Sequence, residues 1–287
     1  MQPNVTCKQL EQHAVSVRRS IITMLEQAGS GHTAGALGLA DIMTALYFAL
    51  LYVSPENPDW AERDLFVMSN GHCAPVLYAT LAERGFFPRS ELATLRQFGS
   101  RLQGHPERQA LPGVETTSGP LGSGLSQASG MAYYVRYLHP QPQRFIYCLM
   151  GDGELDEGNI WEAAMFASKY NLGNLIGIVD RNAIQIGGST EDVMPLEDLQ
   201  GKWRSFGWHV QEIDGHNMES ICEAMSMARA VTDRPSVIIA HTIPGKGVDF
   251  MEGDYHWHGK VPTAEEAQRE QVRGDLRQSR QGGEGGL

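Results

Sequence analysis

The spacing of apolar residues in the first hundred positions alternates between helix and strand periods. Residues 7–28 carry apolar side chains at helical spacing and stop at Gly29, which is suited to cap a helix C-terminus. Residues 40–52 and 75–83 predict two more helices, and the apolar run Leu65–Met68 predicts a strand. The apolar positions of the first helix are Leu10, Ala14, Val17, Ile21 and Leu25.

The second half of the chain predicts a regular succession of strands and helices. Apolar runs bounded by turn residues indicate strands, and longer periodic segments indicate helices. Strands alternating with helices favour βαβ units, so we expect an α/β fold with an open, mostly parallel sheet flanked by helices. The predicted strands are 145–150, 175–179, 208–213 and 236–240, and the predicted helices are 124–138, 159–170 and 218–231.

Two segments lie outside this pattern. Residues 99–123 are rich in Gly, Pro, Ser and Thr, and a loop of that length in a compact domain is usually functional. Residues 271–287 are polar and rich in glycine. We therefore expect one α/β domain over residues 1–270, followed by a C-terminal tail over residues 271–287 whose last ten residues are mobile.

Composition and charge exclude several classes of function. The chain has 23 Lys and Arg against 34 Asp and Glu, a net charge of −11, which disfavours binding to nucleic acid. The longest apolar run is too short to cross a membrane, and the N-terminus carries no recognisable secretory signal. Four scattered cysteines suggest neither a zinc site nor a redox pair, so we expect reduced thiols and a cytoplasmic protein.

The sequence Gly151-Asp152-Gly153 directly follows a predicted strand. Ligands of open α/β sheets bind beyond the carboxyl ends of the strands, where glycines let the backbone approach a phosphate. The next strand ends before Asn182, so the Asn182 amide oxygen and the Ile184 carbonyl could join Asp152 around a divalent ion. By itself, Gly-Asp-Gly is also common in ordinary turns.

Histidines occur beside glycine more often than chance predicts. Five of the ten histidines touch a glycine, against roughly two expected from a glycine content of 32 in 287. Imidazoles on tight loops can donate hydrogen bonds or move protons near a ligand. The five residues are His32, His72, His105, His216 and His258.

Together these segments resemble the transketolase family. A Gly-Asp-Gly followed about thirty residues later by Asn is similar to the thiamine diphosphate-binding motif, and the other segments occur in the order found in transketolases. The resemblance runs from residue 30 to residue 259. Its segments are Ser30-Gly-His32, Ser69-Asn-Gly-His72, Gly104-His-Pro-Glu107, Thr116-Thr-Ser-Gly-Pro-Leu-Gly122, Gly151-Asp-Gly-Glu-Leu-Asp-Glu-Gly158 and Trp257-His-Gly259.

The resemblance implies a thiamine diphosphate-binding (PP-type) domain that uses Mg²⁺, with Ca²⁺ or Mn²⁺ as alternatives. Asp152 and Asn182 would bind the metal through their side chains, and Ile184 through its carbonyl. The cofactor-binding residues that it implies, on the diphosphate, the aminopyrimidine ring and the thiazolium side, are His72, Gly119, Leu121, Gly151, Gly153, Asn182 and Ile186.

The resemblance also implies a reaction, in which a two-carbon ketol unit passes from a ketose phosphate to an aldose phosphate. His32, His105 and His258 would surround the reacting carbon as catalytic residues, and Glu157 would lie at a subunit interface. Family enzymes carry a second, pyrimidine-binding domain that this sequence lacks. We therefore expect a partner, the C-terminal subunit of a split transketolase, in an α₂β₂ assembly that acts on sugar phosphates.

Two alternatives stay open at this point. The chain could be the corresponding subunit of a 2-oxoacid decarboxylase or dehydrogenase, although such an enzyme has no need of the histidines assigned to the donor sugar. It could also be a non-catalytic paralogue that keeps the fold. That interpretation predicts loss of ligand residues, yet Asp152, Asn182 and the four histidines of the motifs are present.

Overall fold

A computed structural model describes residues 5–141 and 144–269. Its main feature is a five-stranded sheet in the order β1-β2-β3-β7-β6, in which every neighbouring pair runs parallel. The strands are β1 (Leu65–Met68), β2 (Ile146–Gly151), β3 (Leu175–Arg181), β6 (His209–Asp214) and β7 (Ser236–His241), and a small antiparallel hairpin consists of β4 (Ile184–Gln185) and β5 (Gly188–Ser189). The expected α/β fold with a mostly parallel sheet is confirmed.

Nine α-helices are found in the described part of the chain, joined by short 3-10 and π-helical turns. They are α1 (Cys7–Ala28), α2 (Ala34–Gly38), α3 (Ala40–Ala45), α4 (Ala74–Arg84), α5 (Ser123–Tyr133), α6 (Gly158–Lys169), α7 (Thr190–Val193), α8 (Leu199–Ser205) and α9 (Met218–Ala230). Two predicted helices, 40–52 and 124–138, end in π-helical turns at Leu46–Leu50 and Tyr134–Leu138. Residues 99–122 form turns and loop, as the sequence predicts.

Local sequence explains the bounds of α1. The Thr6 hydroxyl accepts a hydrogen bond from the Gln9 N–H at 3.3 Å, and the Gln9 carboxamide oxygen accepts one from the Thr6 N–H at 2.8 Å. This capping box satisfies two backbone donors at the helix N-terminus. The helix ends at Gly29, whose φ of 63° lies in the left-handed region that glycine adopts without strain.

The sheet has a hydrophobic core on each face. Successive side chains of a strand point to opposite faces, so Tyr147 packs with α1, α3, α4 and α9, whereas Cys148 packs with α5 and α6. Trp203 of α8 and Trp208 complete the second core, with ring centres 4.9 Å apart. Because both faces of the sheet are covered by helices, polar groups can gather only where the strands end.

Some features were not predicted. β2 and β3 extend to Gly151 and Arg181, beyond their predicted ends, and neither the β4–β5 hairpin nor α7 and α8 were expected. The expected tail, residues 271–287, lies outside the described residues. None of the helices that the structure describes is both long and apolar enough to cross a membrane.

The contact between α5 and the end of β1 generates a stability prediction. A methyl group added at Gly124 would lie 2.8 Å from the Ser69 Cα, closer than real contacts allow. We expect Gly124→Ala to lower the free energy of unfolding by about 1–3 kcal/mol, measured by urea denaturation, because overpacking forces the backbone apart.

Gly130 is the matched control on the same helix. It is exposed, and no atom of the described residues lies within 4 Å of the position of an added Cβ. Gly130→Ala should therefore stabilise the protein by up to about 1 kcal/mol, because alanine favours the helix. Equal effects of the two substitutions would show that the contact with Ser69 does not limit this position.

Candidate active site

Two neighbouring strands lead into polar residues at the same edge of the sheet. β2 and β3 pair with Gly151 opposite Asp180, so the residues that follow leave the sheet side by side. Asp152 is 1% exposed, and its Oδ2 accepts a hydrogen bond of 2.7 Å from the N–H of Ala183. The structure thus brings together the two strand ends that the sequence singled out.

The Asp152 carboxylate is held by three donors. Its Oδ1 accepts from the Gly153 N–H at 2.8 Å, and its Oδ2 accepts from Ala183 and from the Arg181 guanidinium at 3.1 Å. Burial raises the pKa of Asp152, and these donors oppose that shift. Since each carboxylate oxygen offers two lone-pair sites, Oδ1 keeps one for a further ligand.

Asn182 lies in the turn between β3 and β4. Its amide group donates to Asp180 Oδ2 at 2.7 Å, and its side-chain oxygen accepts from the Ile184 N–H at 3.1 Å. Ala183 has a φ of 60°, a left-handed conformation that costs an alanine about 1–2 kcal/mol. This strained residue turns the chain so that its N–H meets Asp152, and it stands between two of the predicted metal ligands.

Asp180 is a buried acid to which the sequence assigned no role. It is 1% exposed and accepts hydrogen bonds from the Thr242 hydroxyl and the Asn182 amide. Burial, together with the charge of Asp152, raises the pKa of Asp180 to about 7. Two buried carboxyl groups side by side favour a cation or a proton between them.

Glu154 is a second functional candidate that sequence reasoning missed. Its side chain is 3% exposed and accepts hydrogen bonds from the Ser69 hydroxyl, from the Gly122 N–H at 2.7 Å and from the Gly151 N–H at 3.0 Å. Burial raises the pKa of this carboxyl, and the three donors oppose the shift. Glu154 thereby ties the ends of β1 and β2 to the turn before α5.

Three of the predicted histidines form a compact cluster. The ring centres of His32 and His72 are 5.0 Å apart, those of His32 and His258 5.5 Å, and those of His72 and His258 5.3 Å. They come from three distant parts of the chain: the loop before α2, the turn after β1, and the segment after β7. The structure therefore brings together side chains that the sequence separates by more than two hundred residues.

Burial keeps these imidazoles neutral. It lowers the pKa of His32 to about 4 and that of His72 to about 3, and it also lowers the pKa of His258. Repulsion between the protonated forms of neighbouring histidines adds to the effect for His32 and His72, and the charge of Arg96 adds to it for His32. A neutral imidazole can donate at one nitrogen and accept at the other. The His32 Nδ1 and the nearby Asn70 Oδ1 are buried without a hydrogen-bond partner among the described residues, which points to a ligand that would satisfy them.

His105 lies apart from this cluster, at its border. It is exposed, and its ring carbons lie 3.9 Å from the position of a Cβ added at Gly119. The ring is still partly shielded from water, and this partial desolvation, together with the charge of Arg96, lowers the pKa of His105. Arg96 was missed by the sequence analysis. It has a φ of 59°, unusual for a residue other than glycine, and its guanidinium packs against Gly104. Neither feature leaves a signal in the sequence.

Three other predicted site residues, Leu121, Glu157 and Ile186, are exposed at the protein surface. Leu121 is 40% exposed and Ile186 is 81% exposed, so both apolar side chains face outward. Glu157 is exposed at the start of α6 and packs close to Gly122. His216, the fifth glycine-flanked histidine, hydrogen-bonds to Asp41 at 2.7 Å instead of joining the cluster.

The donors at this edge suit a hard divalent ion. Asp152 and Asn182 offer carboxylate and amide oxygens, the ligands that Mg²⁺ and Ca²⁺ prefer. No group of three or more His, Cys, Asp or Glu side chains able to hold a metal is found in residues 5–141 and 144–269. A metal here would therefore require the amide of Asn182, a backbone carbonyl and oxygens of its own ligand.

Comparisons with known proteins point to one family. Residues 10–276 match the family model of the transketolase thiamine diphosphate binding domain. The chain is 44% identical over 256 residues to the 6-deoxy-6-sulfo-D-fructose transketolase subunit SqwG of a Clostridium species, covering 89% of this chain and 92% of that one. It is also 44% identical to one of the apulose-4-phosphate transketolase subunits of Phocaeicola vulgatus, covering 90% of each.

The chain belongs to the transketolase family. Its fold superimposes on transketolase from Leishmania mexicana with a TM-score of 0.88 at 33% identity, covering 93% of this chain and 41% of that one. Human transketolase is 42% identical, and the match covers 88% of this chain and 40% of that enzyme. The chain thus spans about two fifths of these longer transketolases but nine tenths of the two subunits.

The residues at the sheet edge fit the cofactor of this family. Neutral histidines and backbone N–H groups suit an anionic diphosphate. The His32 Nδ1 and Asn70 Oδ1, unpartnered within the described part of the chain, offer sites for further hydrogen bonds. The open lone pair of Asp152 Oδ1 suits a metal that bridges to phosphate oxygens.

The depressed histidine pKa values predict how stability depends on pH. His72 has a pKa of about 3 in the folded protein against 6.5 ordinarily, so between these values the unfolded state binds the extra proton. The contribution of the buried neutral His72 to stability is therefore fully present above pH 6.5. It is lost progressively as the pH drops from 6.5 toward about 3, because the unfolded chain takes up a proton that the folded protein does not. His72→Gln cannot titrate, so its melting temperature should fall less between about pH 7 and pH 5 in calorimetric scans.

His139→Gln is the control for this experiment. His139 is exposed beyond α5, so its replacement should leave the pH dependence of the wild-type protein unchanged. If His72→Gln and the wild-type protein lose stability equally over this range, His72 does not carry the buried neutral imidazole that the structure assigns to it.

Proposed function

We propose that this chain is the diphosphate-binding subunit of a two-chain transketolase. It transfers a two-carbon ketol unit from a ketose to an aldose, with thiamine diphosphate and Mg²⁺. The observation that carries this proposal is the triangle of neutral histidines, His32, His72 and His258, in a chain whose Asp152 is buried where β2 ends. Their pKa values leave them uncharged at neutral pH, so that each can donate a hydrogen bond at one ring nitrogen and accept one at the other.

The substrates we propose are sugars with an anionic group at the end away from the reacting carbonyl. Two of the similar proteins are named for such sugars, a sulfonated fructose and apulose 4-phosphate. We assign recognition of that distant group mainly to the partner subunit. The names of these relatives also favour transketolase chemistry over the 2-oxoacid alternative.

The partner we propose is a separate C-terminal, pyrimidine-binding subunit in an α₂β₂ assembly. Support comes from the two relatives of similar length, which are named as subunits, and from apolar side chains exposed beside the site, such as Leu121 and Ile186. Glu157, exposed next to Gly122, is our candidate for the interface. The four free cysteines of the chain support a reducing, cytoplasmic location.

When bound, thiamine diphosphate supplies the electron sink that permits cleavage of a carbon–carbon bond. In this chain, Asp152, Asn182 and the Ile184 carbonyl would hold the metal. His72 and the N–H of Gly153 would bind the diphosphate, which requires the Gly153 N–H to turn from its present acceptor, Asp152 Oδ1.

The remaining residues of the site act on the substrate. His32 and His258 would hydrogen-bond to hydroxyl and carbonyl oxygens of the ketose, because a neutral imidazole donates at one ring nitrogen and accepts at the other. His105, which is exposed, would orient the sugar as it enters. Gly119 and Leu121 would contact the aminopyrimidine ring, and Ile186 the thiazolium side.

A sugar-transfer assay tests the proposed function. The chain should be co-expressed with the product of the adjacent reading frame, purified as a complex and screened against ketose donors and aldose acceptors with and without thiamine diphosphate. We expect transfer of two carbons by the complex only when thiamine diphosphate is present, and little or none by the chain alone. Strong transfer by the isolated chain would contradict the two-subunit proposal.

The same assay separates the alternatives. Release of CO₂ from a 2-oxoacid would support the decarboxylase interpretation. Binding of the cofactor without turnover of any sugar or 2-oxoacid would support a non-catalytic role.

Asp152→Ala tests the metal assignment. Removal of the buried carboxylate should weaken Mg²⁺-dependent binding of thiamine diphosphate at least about tenfold, measured by isothermal titration calorimetry, because changes even to groups around a metal ligand cost that much. Asp156→Ala is the control, since Asp156 is exposed on the next turn and accepts a hydrogen bond from the Gln185 amide at 3.0 Å. Unchanged cofactor affinity in Asp152→Ala would remove Asp152 from the metal site.

A further inference from the structure

Arg181, the last residue of β3, is a buried cation that the proposed chemistry does not use. Its side chain is 7% exposed. Nη1 donates to Asp152 Oδ2 at 3.1 Å and to the Thr190 hydroxyl at 2.6 Å. Nη2 donates to Glu191 at 2.6 Å and to Glu197 at 3.1 Å. Four of the five guanidinium N–H groups are therefore engaged.

These contacts determine which Asp152 oxygen remains available. Oδ2 accepts from both Arg181 and Ala183, so both of its lone pairs are used. Oδ1 accepts only from Gly153 among the described residues. The guanidinium and the Ala183 N–H thereby occupy one carboxylate oxygen and leave the other, Oδ1, open to a further ligand.

The guanidinium is itself fixed from its far side. Thr190 is fully buried at the start of α7, and Glu191 and Glu197 reach the same nitrogen from two points of the segment after β5. An ammonium group is a single point with three donors on a flexible stem. It cannot span Asp152 and this segment together, so the arrangement depends on the planar fork of arginine.

We propose that Arg181 is a positioning residue for the metal site, which sets the orientation of Asp152 by bridging it to Thr190, Glu191 and Glu197. It does not touch the metal or the cofactor. The inference deepens the proposed function and rests on it. It adds a requirement that the metal-ligand motif alone does not contain, a guanidinium one residue before Asn182.

The test compares Arg181→Lys and Arg181→Met in the full-length chain, purified with its partner subunit. Mg²⁺ is titrated calorimetrically in the presence of fixed thiamine diphosphate. Both variants should bind Mg²⁺ about tenfold or more weakly, because loss of a group that orients a metal ligand costs about that factor. Arg181→Lys keeps the positive charge, so a loss of Mg²⁺ affinity in this variant measures the effect of geometry rather than of electrostatics.

Melting temperatures without metal provide a second readout. A merely structural role would lower the melting temperature and leave the Mg²⁺ constant unchanged. Arg234→Lys and Arg234→Met are the matched controls, because Arg234 is exposed and pairs with the adjacent Asp233, far along the chain from the site. They should leave Mg²⁺ binding unchanged.

A double variant, Glu191→Gln with Glu197→Gln, covers the case in which the Arg181 variants do not fold. The two glutamate side chains are 40% and 64% exposed, so their replacement should leave the core intact. We expect a loss of Mg²⁺ affinity of at least about threefold, since the guanidinium loses two charge-assisted anchors.

Two outcomes would overturn the inference. They are wild-type Mg²⁺ affinity in Arg181→Lys, and unchanged or tighter Mg²⁺ binding in the glutamine double variant. If the wild-type complex itself binds neither Mg²⁺ nor thiamine diphosphate, the proposed function fails instead, so the two failures are distinguishable.

Discussion

The parallel pairing of β2 with β3 is the interaction on which the site depends. With Gly151 opposite Asp180, the segments that follow β2 and β3 leave the sheet side by side. The N–H of Ala183 then donates to the Asp152 carboxylate at 2.7 Å. A shift of one residue would move every side chain of the strand to the other face and take Asp152 away from Asn182. The hydrophobic cores on both faces hold this register, so the packing of the sheet is also what positions the candidate ligands.

Burial has opposite electrostatic consequences on the two sides of the site. It keeps His32 and His72 neutral, which makes each of them both a hydrogen-bond donor and a hydrogen-bond acceptor. It also raises the pKa of Asp152, Glu154 and Asp180 by disfavouring their charged forms. Hydrogen-bond donors around each carboxyl oppose this shift by stabilising the carboxylate. The glycine-rich backbone supplies many of these donors, and Arg181 supplies the cation that contacts Asp152 directly.

Much of this arrangement could be predicted from local sequence. Residues near Asp152 and Asn182 were expected to meet because the carboxyl ends of consecutive parallel strands emerge at one edge. The resemblance to transketolases pointed to the histidines, three of which form the cluster. The β4–β5 hairpin and α7 were missed, because elements of two to four residues carry too little periodicity to recognise.

Periods and residue types within short windows are enough to specify the alternation of strands and helices, the polar strand ends and the kinds of donor available. Which distant groups meet depends instead on how the whole chain packs. Glu154 acquires its role from Ser69 and Gly122, and Arg181 acquires its role from Thr190 and Glu197. No local pattern encodes such partners, because they are brought together by the packing of the whole sheet and its two hydrophobic cores.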